Sequence, residues 1–496
     1  MKAIRVFLGA FAFLLISNSV FSQKVEFVEP RFNLEATKPA FFNYSVNNNH
    51  YYLLTSGNLK APLRVDLQVL SYDSQGKPLN SFMIDKTMNP AEPNYFKGLF
   101  TLNNKWIFFK DGYDTKAKKT NLYFYELDDE GSKSEPTLLS SMLAEGAFNT
   151  GNYLLTSNPD NSKLVVISNL PREKNTNEKL ILTVFDAGLN QIVSKKHELP
   201  FEAKKYVYNW IFINNDGMVF LLKKIYPKKG EPEKDMIFTF SPELELLNSA
   251  TVNIGDLGVI SSFDAKFDKE GNLVIGGLYY NFQKIGVNSE DPDGVFVLKC
   301  DSKGEVTSSF SKKHYFKSFK TNNLLIDNTG NYIVLIESAD HVNEATGAGT
   351  NPVYIDNYTN QDAELVKFSN LLQWEWNYTI KRDELKSVND NAKANRVWAS
   401  VLPTNEIVVV YRDAWARHDG VNRTVITPPV IYWKGNVIET ISQDGKQSKH
   451  QLITDARLGG KTGQYSLIPQ SGYLQDGKLH FLSFRDMELV STIIEI

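Results

Sequence analysis

Cysteine is almost absent from the sequence, and neither sign of charge is in clear excess. Because Cys300 is the single cysteine, neither a disulfide framework nor a cysteine-rich metal site can form within the chain. The 54 lysine and arginine residues nearly balance the 57 aspartate and glutamate residues, so the formal net charge is −3. A general nucleic-acid-binding protein would show a basic excess, and we therefore predict no nucleic-acid partner.

Long apolar runs and helical patterns are also missing. Beyond the N-terminus, no stretch approaches the roughly 18 consecutive apolar residues of a membrane helix, so we predict no transmembrane segment. No segment of helix length carries a helical apolar stripe, whereas short runs rich in Val, Ile, Leu, Phe and Tyr are frequent. With 42% hydrophobic and 22% charged residues, the chain can bury a sizeable core, and we predict an all-β fold.

The first 22 residues have the pattern of a signal peptide. Lys2 and Arg5 form a short basic region, residues 6–16 are an apolar run too short to span a bilayer comfortably, and small polar residues follow. We predict cleavage after Ser22 and export to the periplasm or the cell exterior. Residues 23–496 then form the mature chain, which we predict to be one domain.

A pattern of four short strands recurs along the mature chain. The turn between its first two strands falls near Asn48, Asn104, Asn161, Asp216, Glu270, Thr329, Asn405 and Asp476, at spacings of 56, 57, 55, 54, 59, 76 and 71 residues. Gly, Asn and Asp are frequent in these turns because tight hairpins need residues that tolerate positive φ. Four strands in roughly 59 residues is the size of a propeller blade. The repeat therefore predicts a single β-propeller of eight four-stranded blades, with seven blades as the alternative.

The two ends of the chain predict how the ring closes. The last copy of the repeat has three strands, of which the final one lies within residues 487–496. The N-terminal segment Lys24–Arg31 is extra to the repeat and precedes its first copy. We predict that this segment supplies the fourth strand of the last blade and so joins the two termini.

The repeats resemble the short-strand propeller repeats of exported bacterial proteins, above all in the turn Asp268–Leu273, whose sequence is Asp-Lys-Glu-Gly-Asn-Leu. The resemblance extends over the whole mature chain. It implies the fold, which many unrelated functions share. The Asp-box of sialidases, the Gly-His and Trp-Asp pairs of WD40 repeats and the recurring glycine pairs of kelch repeats are absent from the sequence, so no narrower family is indicated.

Short catalytic and cofactor-binding motifs are absent as well. The sequence lacks Gly-x-Ser-x-Gly, His-Glu-x-x-His, a phosphate-binding glycine loop and an EF-hand loop. We therefore predict no cofactor and interpret the protein as an exported binding or scaffold protein, with a protein or a glycan as its partner. The alternative is a carbohydrate-active enzyme, a glycoside hydrolase or lyase, that uses carboxylates of the sixth blade.

Charge and length differ among the connections between second and third strands. Segments 110–120, 169–179 and 223–235, in blades two to four, together hold 12 basic and 7 acidic residues, whereas segment 337–364 of blade six holds six acidic residues and no Lys or Arg. Such a bipolar face would orient a charged partner. The repeat spacing is longest in blades six and seven, and because long loops often carry function, we predict that their loops bind the partner.

Within these loops, Trp415 is predicted to follow a strand directly and to be exposed beside Arg417 and His418. An exposed tryptophan can stack on a sugar ring or anchor a peptide, and a cation can lie over its face. These three residues are the predicted ligand-binding site.

Asp340, His341, Glu344 and Asp356 are the predicted metal ligands, with calcium bound through the carboxylates or a transition metal through His341. The same carboxylates would form the acid and base of the alternative enzyme, which needs two carboxyl groups a few ångströms apart. The spacing along the chain leaves both roles open, because it does not fix distances in three dimensions.

Two further features are interpreted as structural. Trp374, Trp376 and Tyr378 alternate along one strand, which predicts packing between blades. Cys300 ends an apolar strand and is predicted to be half-buried and structural.

Overall fold

A computed structural model places the chain in strands and tight turns. It describes residues 25–33, 40–46, 49–56, 66–84, 95–128, 132–202, 208–225, 233–254, 258–281, 292–311, 322–346, 353–382, 385–388, 397–416, 431–453, 466–485 and 488–495. Within these ranges, 33 strands form eight sheets. The described ranges hold no helix with the length and apolarity that crossing a membrane requires.

The first four sheets follow the chain in order. They are β2 (Ala40–Val46), β3 (Asn49–Ser56), β4 (Asp66–Tyr72) and β5 (Pro78–Ile84); β6 (Tyr95–Leu102), β7 (Lys105–Asp114), β8 (Lys119–Leu127) and β9 (Thr137–Leu143); β10 (Asn152–Ser157), β11 (Lys163–Asn169), β12 (Asn177–Asp186) and β13 (Gln191–Glu202); and β14 (Tyr208–Ile213), β15 (Val219–Ile225), β16 (Lys234–Phe240) and β17 (Leu246–Thr251). Each pairs its four strands antiparallel in sequence order, as consecutive hairpins do.

The next three sheets repeat this order, and the eighth uses both ends of the chain. They are β18 (Gly258–Phe267), β19 (Leu273–Asn281), β20 (Gly294–Cys300) and β21 (Val306–Ser311); β22 (Asn322–Ile326), β23 (Tyr332–Thr346), β24 (Val353–Phe368) and β25 (Trp374–Ile380), with β26 (Leu385–Val388) as a fifth strand; β27 (Trp398–Val401), β28 (Ile407–Ala416), β29 (Ile431–Ile441) and β30 (Gln447–Ile453); and β31 (Ser466–Gln475), β32 (Lys478–Arg485), β33 (Glu488–Glu495) and β1 (Val25–Asn33).

The sheets are arranged as blades in a closed ring. First strands of neighbouring blades contact one another from blade two to blade four and from blade five to blade eight, and β31 of the eighth blade contacts β2 of the first. Blades one and two, and blades four and five, are joined by buried apolar side chains. The N-terminal strand β1 pairs with β33 from Val25↔Ile494 to Asn33↔Glu488, as the sequence predicted. The protein is thus an eight-bladed β-propeller, and the seven-bladed alternative is wrong because eight complete sheets are present.

The core of the molecule lies between the blades. Seven clusters of buried apolar side chains each join two consecutive blades, from blades one and two to blades seven and eight. In the cluster between blades four and five, for example, Phe220 packs together with Phe296 of the next blade. Each such side chain contributes about 1.5–3 kcal/mol when fully buried. Central strands are covered on both faces, which is why their sequences show only partial alternation.

Most of the residues that the sequence analysis interpreted as structural are buried. Trp376 and Tyr378 pack into the cluster between blades six and seven, but Trp374 is 53% exposed. A register shift next to Phe368 sets Trp374 outside the regular alternation. Cys300 is fully buried rather than half-buried, and burial raises the pKa of its thiol to about 11, so it stays a neutral thiol.

Two kinds of connection divide the ring into two faces. We call the side that holds the hairpin turns between first and second strands and between third and fourth strands the turn face. The turns there are tight and capped: Asp268 Oδ1 accepts hydrogen bonds from the backbone N–H groups of Glu270 (3.1 Å) and Asn272 (2.9 Å), and Gly271 has φ +79°. The opposite side, the connection face, holds the links between second and third strands and those between blades.

Candidate functional site on the connection face

Blade six extends beyond the regular blade on the connection face. Its strands β23 and β24 are 15 and 16 residues long, and they stay paired as far as Thr346↔Val353. The fifth strand, β26, pairs with the outer part of β24 from Asn357 to Asn360. We call residues 338–362 together with β26 the blade-six arm. The sequence predicted a long loop here, whereas much of that length is paired strand.

Buried polar contacts hold the base of this arm. The ladder between β23 and β24 shifts register between Glu337 and Ala339, which bends a strand pair locally. Beside that shift, the guanidinium of Arg382 lies 3.5 Å from Glu337 Oε2, and both side chains are almost completely buried. The backbone N–H of Arg382 donates a hydrogen bond to Asp362 Oδ1 (3.0 Å). Removing one partner of a buried pair leaves an uncompensated charge, so these contacts fix where the arm leaves the sheet.

The predicted metal ligands all lie in the arm. Asp340, His341 and Glu344 are in β23, and Asp356 is in β24. Because Asp340 pairs with Thr359 and Asn343 pairs with Asp356, the two aspartates are three register positions apart, about 10 Å along the strands. Across the residues whose side chains are described, no three His, Cys, Asp or Glu side chains gather as a metal site would require. The metal site in the arm stays a prediction.

The predicted ligand-binding residues lie in the neighbouring blade. Trp415 is inside strand β28 and pairs with Tyr432 of β29, so it does not follow the strand as the sequence suggested. Strands β28 and β29 are 10 and 11 residues long, and they form a long hairpin that points to the same face as the blade-six arm. Arg417 and His418 lie outside the described residues.

Two lysines in the basic connections of blades two and four are buried, which their sequences did not indicate. Lys110 and Lys223 are 5% and 3% exposed. The ammonium of Lys223 lies 2.8 Å from Glu178 Oε2 and donates to Asn209 Oδ1 (2.9 Å). Burial lowers the pKa of Lys223, and the nearby carboxylate of Glu178 opposes that effect. Lys223 is therefore paired inside the ring, whereas Lys116, Lys118 and Lys119 of the turn between β7 and β8 are exposed.

A second buried charge group lies between blades four and five. Asp235 is 3% exposed, and burial raises the pKa of its carboxyl although Lys224 Nζ lies 3.6 Å away and lowers it. The backbone N–H of Ile260 donates to Asp235 Oδ2 (2.8 Å), and Lys224 Nζ donates to the Ile260 carbonyl (2.9 Å). The two blades are thus joined by a charge-assisted hydrogen-bond loop.

Two residues of the connection face were not singled out from the sequence. Arg382 follows β25 in a charged stretch, and such stretches are usually solvated, so its burial against Glu337 had no signal in the sequence. Phe148 lies in a link between blades, and its ring is fully exposed at 101%. Its flanking glycines, Gly146 and Gly151, indicate a turn, but they do not separate an exposed aromatic residue from a buried one.

Comparison with known proteins gives distant likenesses only. No model of a known protein family matches the chain, and no curated protein matches it. Among solved structures, the Penicillium chrysogenum α-L-arabinanase complexed with arabinobiose is 14% identical, with a TM-score of 0.37 over 64% of this chain and 92% of that one. The β-propeller domain of the trilobed protease from Pyrococcus furiosus is 12% identical, with a TM-score of 0.32 over 72% and 98%. Similarity at this level does not indicate an activity or a substrate for this chain.

Proposed function

We propose that the protein is an exported binding protein that recognises a protein or glycan partner with the blade-six arm and the long hairpin of blade seven. The observation that carries the proposal is the departure of blade six from the repeat. Within the described ranges, the other seven sheets have four strands each, whereas the blade-six sheet has five, and its extra length is paired strand. A projection built of paired strands on one face of the ring is suited to meeting a partner.

The chemistry of the arm indicates what kind of partner it would meet. Its residues 338–362 include Asp340, Glu344, Asp356 and Asp362 and no Lys or Arg, and β26 adds one cation, Lys386. Acidic side chains on a projecting hairpin favour a partner with cationic groups, or with hydroxyl groups that donate hydrogen bonds. A divalent cation held by the same carboxylates would extend that chemistry to an anionic sugar.

Export is part of the same proposal. Cleavage after Ser22 would leave β1, which begins at Val25, within the mature chain. The pairing of β1 with β33 would then complete the eighth blade after processing. Sequencing the N-terminus of the protein recovered from the cell exterior or periplasm tests this step, and an N-terminus at Gln23 is expected.

A thermal-shift screen of residues 23–496 against divalent ions and a panel of glycans tests the binding proposal. A ligand at about 100 times its Kd adds about 2.7 kcal/mol to the folded state, which is easily measured. The matched variant shortens the arm at the pair Ala339↔Asn360 and joins the strands with an Asn-Gly turn, which suits a two-residue hairpin. The shortened variant should lose the response and keep its unliganded Tm. A response that survives shortening contradicts the assignment to the arm.

Trp415 can be tested with any glycan or peptide that the screen identifies. Replacing a tryptophan that stacks on a ligand by alanine removes about 1–3 kcal/mol of binding free energy, so Trp415→Ala should weaken binding by roughly 5- to 150-fold. Trp374→Ala is the control, because Trp374 is 53% exposed and lies next to a turn on the opposite face. Equal affinities of the wild type and the Trp415 variant would remove this residue from the site.

The same variants separate a binding protein from the alternative enzyme. Asp340→Asn and Asp356→Asn would abolish glycoside cleavage and keep sugar binding if these residues were an acid and base pair. A binding protein has no turnover to lose. Product release from a glycan of the panel that stops in either variant would establish the enzyme instead.

A further inference from the structure

Three connections of blades two and three are tied together on the connection face. They are the turn between β7 and β8, the link of residues 144–151 between the two blades, and the turn between β11 and β12. The backbone N–H of Ala144 donates to the Lys118 carbonyl (2.9 Å). The side chain of Asn149 donates to the Arg172 carbonyl (2.8 Å) and accepts from the Arg172 N–H (2.9 Å). We call these three connections the blade-two/three platform.

An aromatic side chain projects from the middle of this platform. The backbone of Asn149 closes a tight turn with Gly146 (3.0 Å) and accepts from the N–H of Glu145 (3.1 Å), which fixes the position of Phe148. The Phe148 ring is 101% exposed, and nearby Leu143, which pairs with Lys119, is 72% exposed. A hydrogen-bonded turn thus holds a large apolar side chain in water.

Cationic side chains surround this apolar tip. Lys116, Lys118 and Lys119 of the first turn are exposed, as is Lys174 of the third, and Arg172 is half-buried beside Asn149. Among the described residues, none of these five cations is in an ion pair within 4 Å. Long cationic side chains around an apolar tip can keep their charges in water while their stems cover apolar surface.

The carboxylates of the platform are engaged by the platform itself. Asp114 Oδ1 accepts the N–H groups of Lys116 and Ala117 (2.9 Å each), which lower the pKa of its carboxyl and cap the turn. Glu173 Oε2 lies 2.7 Å from Lys179 Nζ, and Glu145 Oε2 accepts from Asn149 Nδ2 (2.8 Å). All three carboxylates are exposed and stay anionic, but the five cations outnumber them, so the platform has a net charge of 5 − 3 = +2 around an apolar centre.

We propose that the blade-two/three platform docks onto the surface of a bilayer that contains anionic phospholipid. Phe148 would enter the boundary between head groups and acyl chains, and the surrounding lysines would lie against the phosphates. A bilayer needs no shape complementarity, and that suits an apolar side chain that is fully exposed. The platform lies on blades two and three, so this inference is independent of the partner site proposed for blades six and seven.

Vesicle co-sedimentation of residues 23–496 tests the proposal. The probe is a set of vesicles of phosphatidylcholine and phosphatidylglycerol at about 3:1, compared with vesicles of phosphatidylcholine alone. We expect binding to the anionic vesicles that weakens as salt is added, because salt screens exposed charges.

Phe148→Ala should reduce the partition coefficient about tenfold, and Phe148→Trp should keep it, since tryptophan favours the interface. Each of Lys116→Gln, Lys118→Gln and Lys119→Gln should reduce it about fivefold.

A matched control separates docking through the platform from nonspecific adsorption of exposed apolar side chains to vesicles. Leu246 is 49% exposed at the start of β17, next to a turn on the opposite face, so Leu246→Ala should leave vesicle binding unchanged. Phe148 is fully exposed, and its replacement should not alter the Tm. Absence of salt-sensitive binding to the anionic vesicles overturns the proposal and favours an acidic protein as the occupant. Equal binding by the wild type and Phe148→Ala overturns it as well.

Discussion

The two faces of the ring are stabilised by different kinds of interaction. On the turn face, capped turns of neighbouring blades hydrogen-bond to one another, as the side chain of Asn214 does to the Gly271 carbonyl (2.9 Å). On the connection face, the strand ends bury ion pairs such as Lys223–Glu178. The turn interactions repeat from blade to blade, and so do the charge pairs beside them, Asp268–Lys299 in blade five and Asp327–Lys367 in blade six. The buried pairs of the connection face, in contrast, are particular to their blades. Blade-specific chemistry is therefore concentrated on the connection face, and we expect a partner to bind there.

The largest effect is expected from breaking a buried pair of the connection face. Lys223→Ala leaves Glu178 buried without its partner, because the two side chains are 4% and 7% exposed at 2.8 Å. Loss of one member of such a pair costs about 3–5 kcal/mol of unfolding free energy. Urea unfolding near neutral pH measures this loss as a shift of the midpoint at constant slope.

The control for that variant is an ion pair on the turn face. Lys446 Nζ lies 2.6 Å from Asp444, but the side chains are 80% and 58% exposed, so Lys446→Ala should not change the urea midpoint measurably. Similar losses for Lys223→Ala and Lys446→Ala would show that burial is not what separates the two faces.

A smaller, pH-dependent effect is expected where blade eight meets blade one. His480 is 3% exposed, its ring stacks on Tyr473 at 4.7 Å, and burial lowers its pKa to about 4. Above about pH 6.5 the imidazole is neutral in both the folded and the unfolded chain, so His480 does not lower the free energy of unfolding there. As the pH falls, the unfolded chain gains a proton that the folded chain does not, so about 2 kcal/mol should be lost by about pH 5.

The measurement is the difference in urea midpoint between about pH 7 and pH 5, compared with that of His480→Phe. The variant should lose the His480 part of the pH dependence and keep the part due to carboxylates. His197→Gln is the matched control. Burial lowers the pKa of His197 too, but this residue is only half-buried, so its effect should be smaller. An unchanged pH dependence in His480→Phe would show that protonation of His480 does not affect the stability of the contact between the first and last blades.

The difference between the faces also explains what could be predicted from the sequence. The turn near Glu270 and the pairing of β1 with β33 were predicted correctly, because turn chemistry is local and an unpaired strand needs a partner. Buried charges were not predicted, because Lys223 and Glu178 meet only after two blades pack together. The extent of the blade-six arm was not predicted either, since the pairing of β26 with β24 depends on contacts distant in sequence.

The smallest effect is expected from removing one cap on the turn face. Asp268 accepts two backbone hydrogen bonds within its turn and lies 3.0 Å from Lys299 Nζ. Burial raises the pKa of its carboxyl, but the hydrogen bonds of Asn272 and Lys299 outweigh that effect and lower the pKa overall. Asp268→Ala should cost about 1–2 kcal/mol of unfolding free energy, as the loss of a capping side chain does.

Asp268→Asn decides which interaction of this turn matters, because asparagine keeps the oxygen that accepts the two backbone hydrogen bonds and lacks the charge that faces Lys299. If capping dominates, the Asn variant should retain most of the stability that the Ala variant loses in urea unfolding. Equal losses would mean that the ion pair with Lys299 carries the effect. The turn face would then depend on particular charge pairs, as the connection face does, and the contrast between the two faces would be one of burial alone.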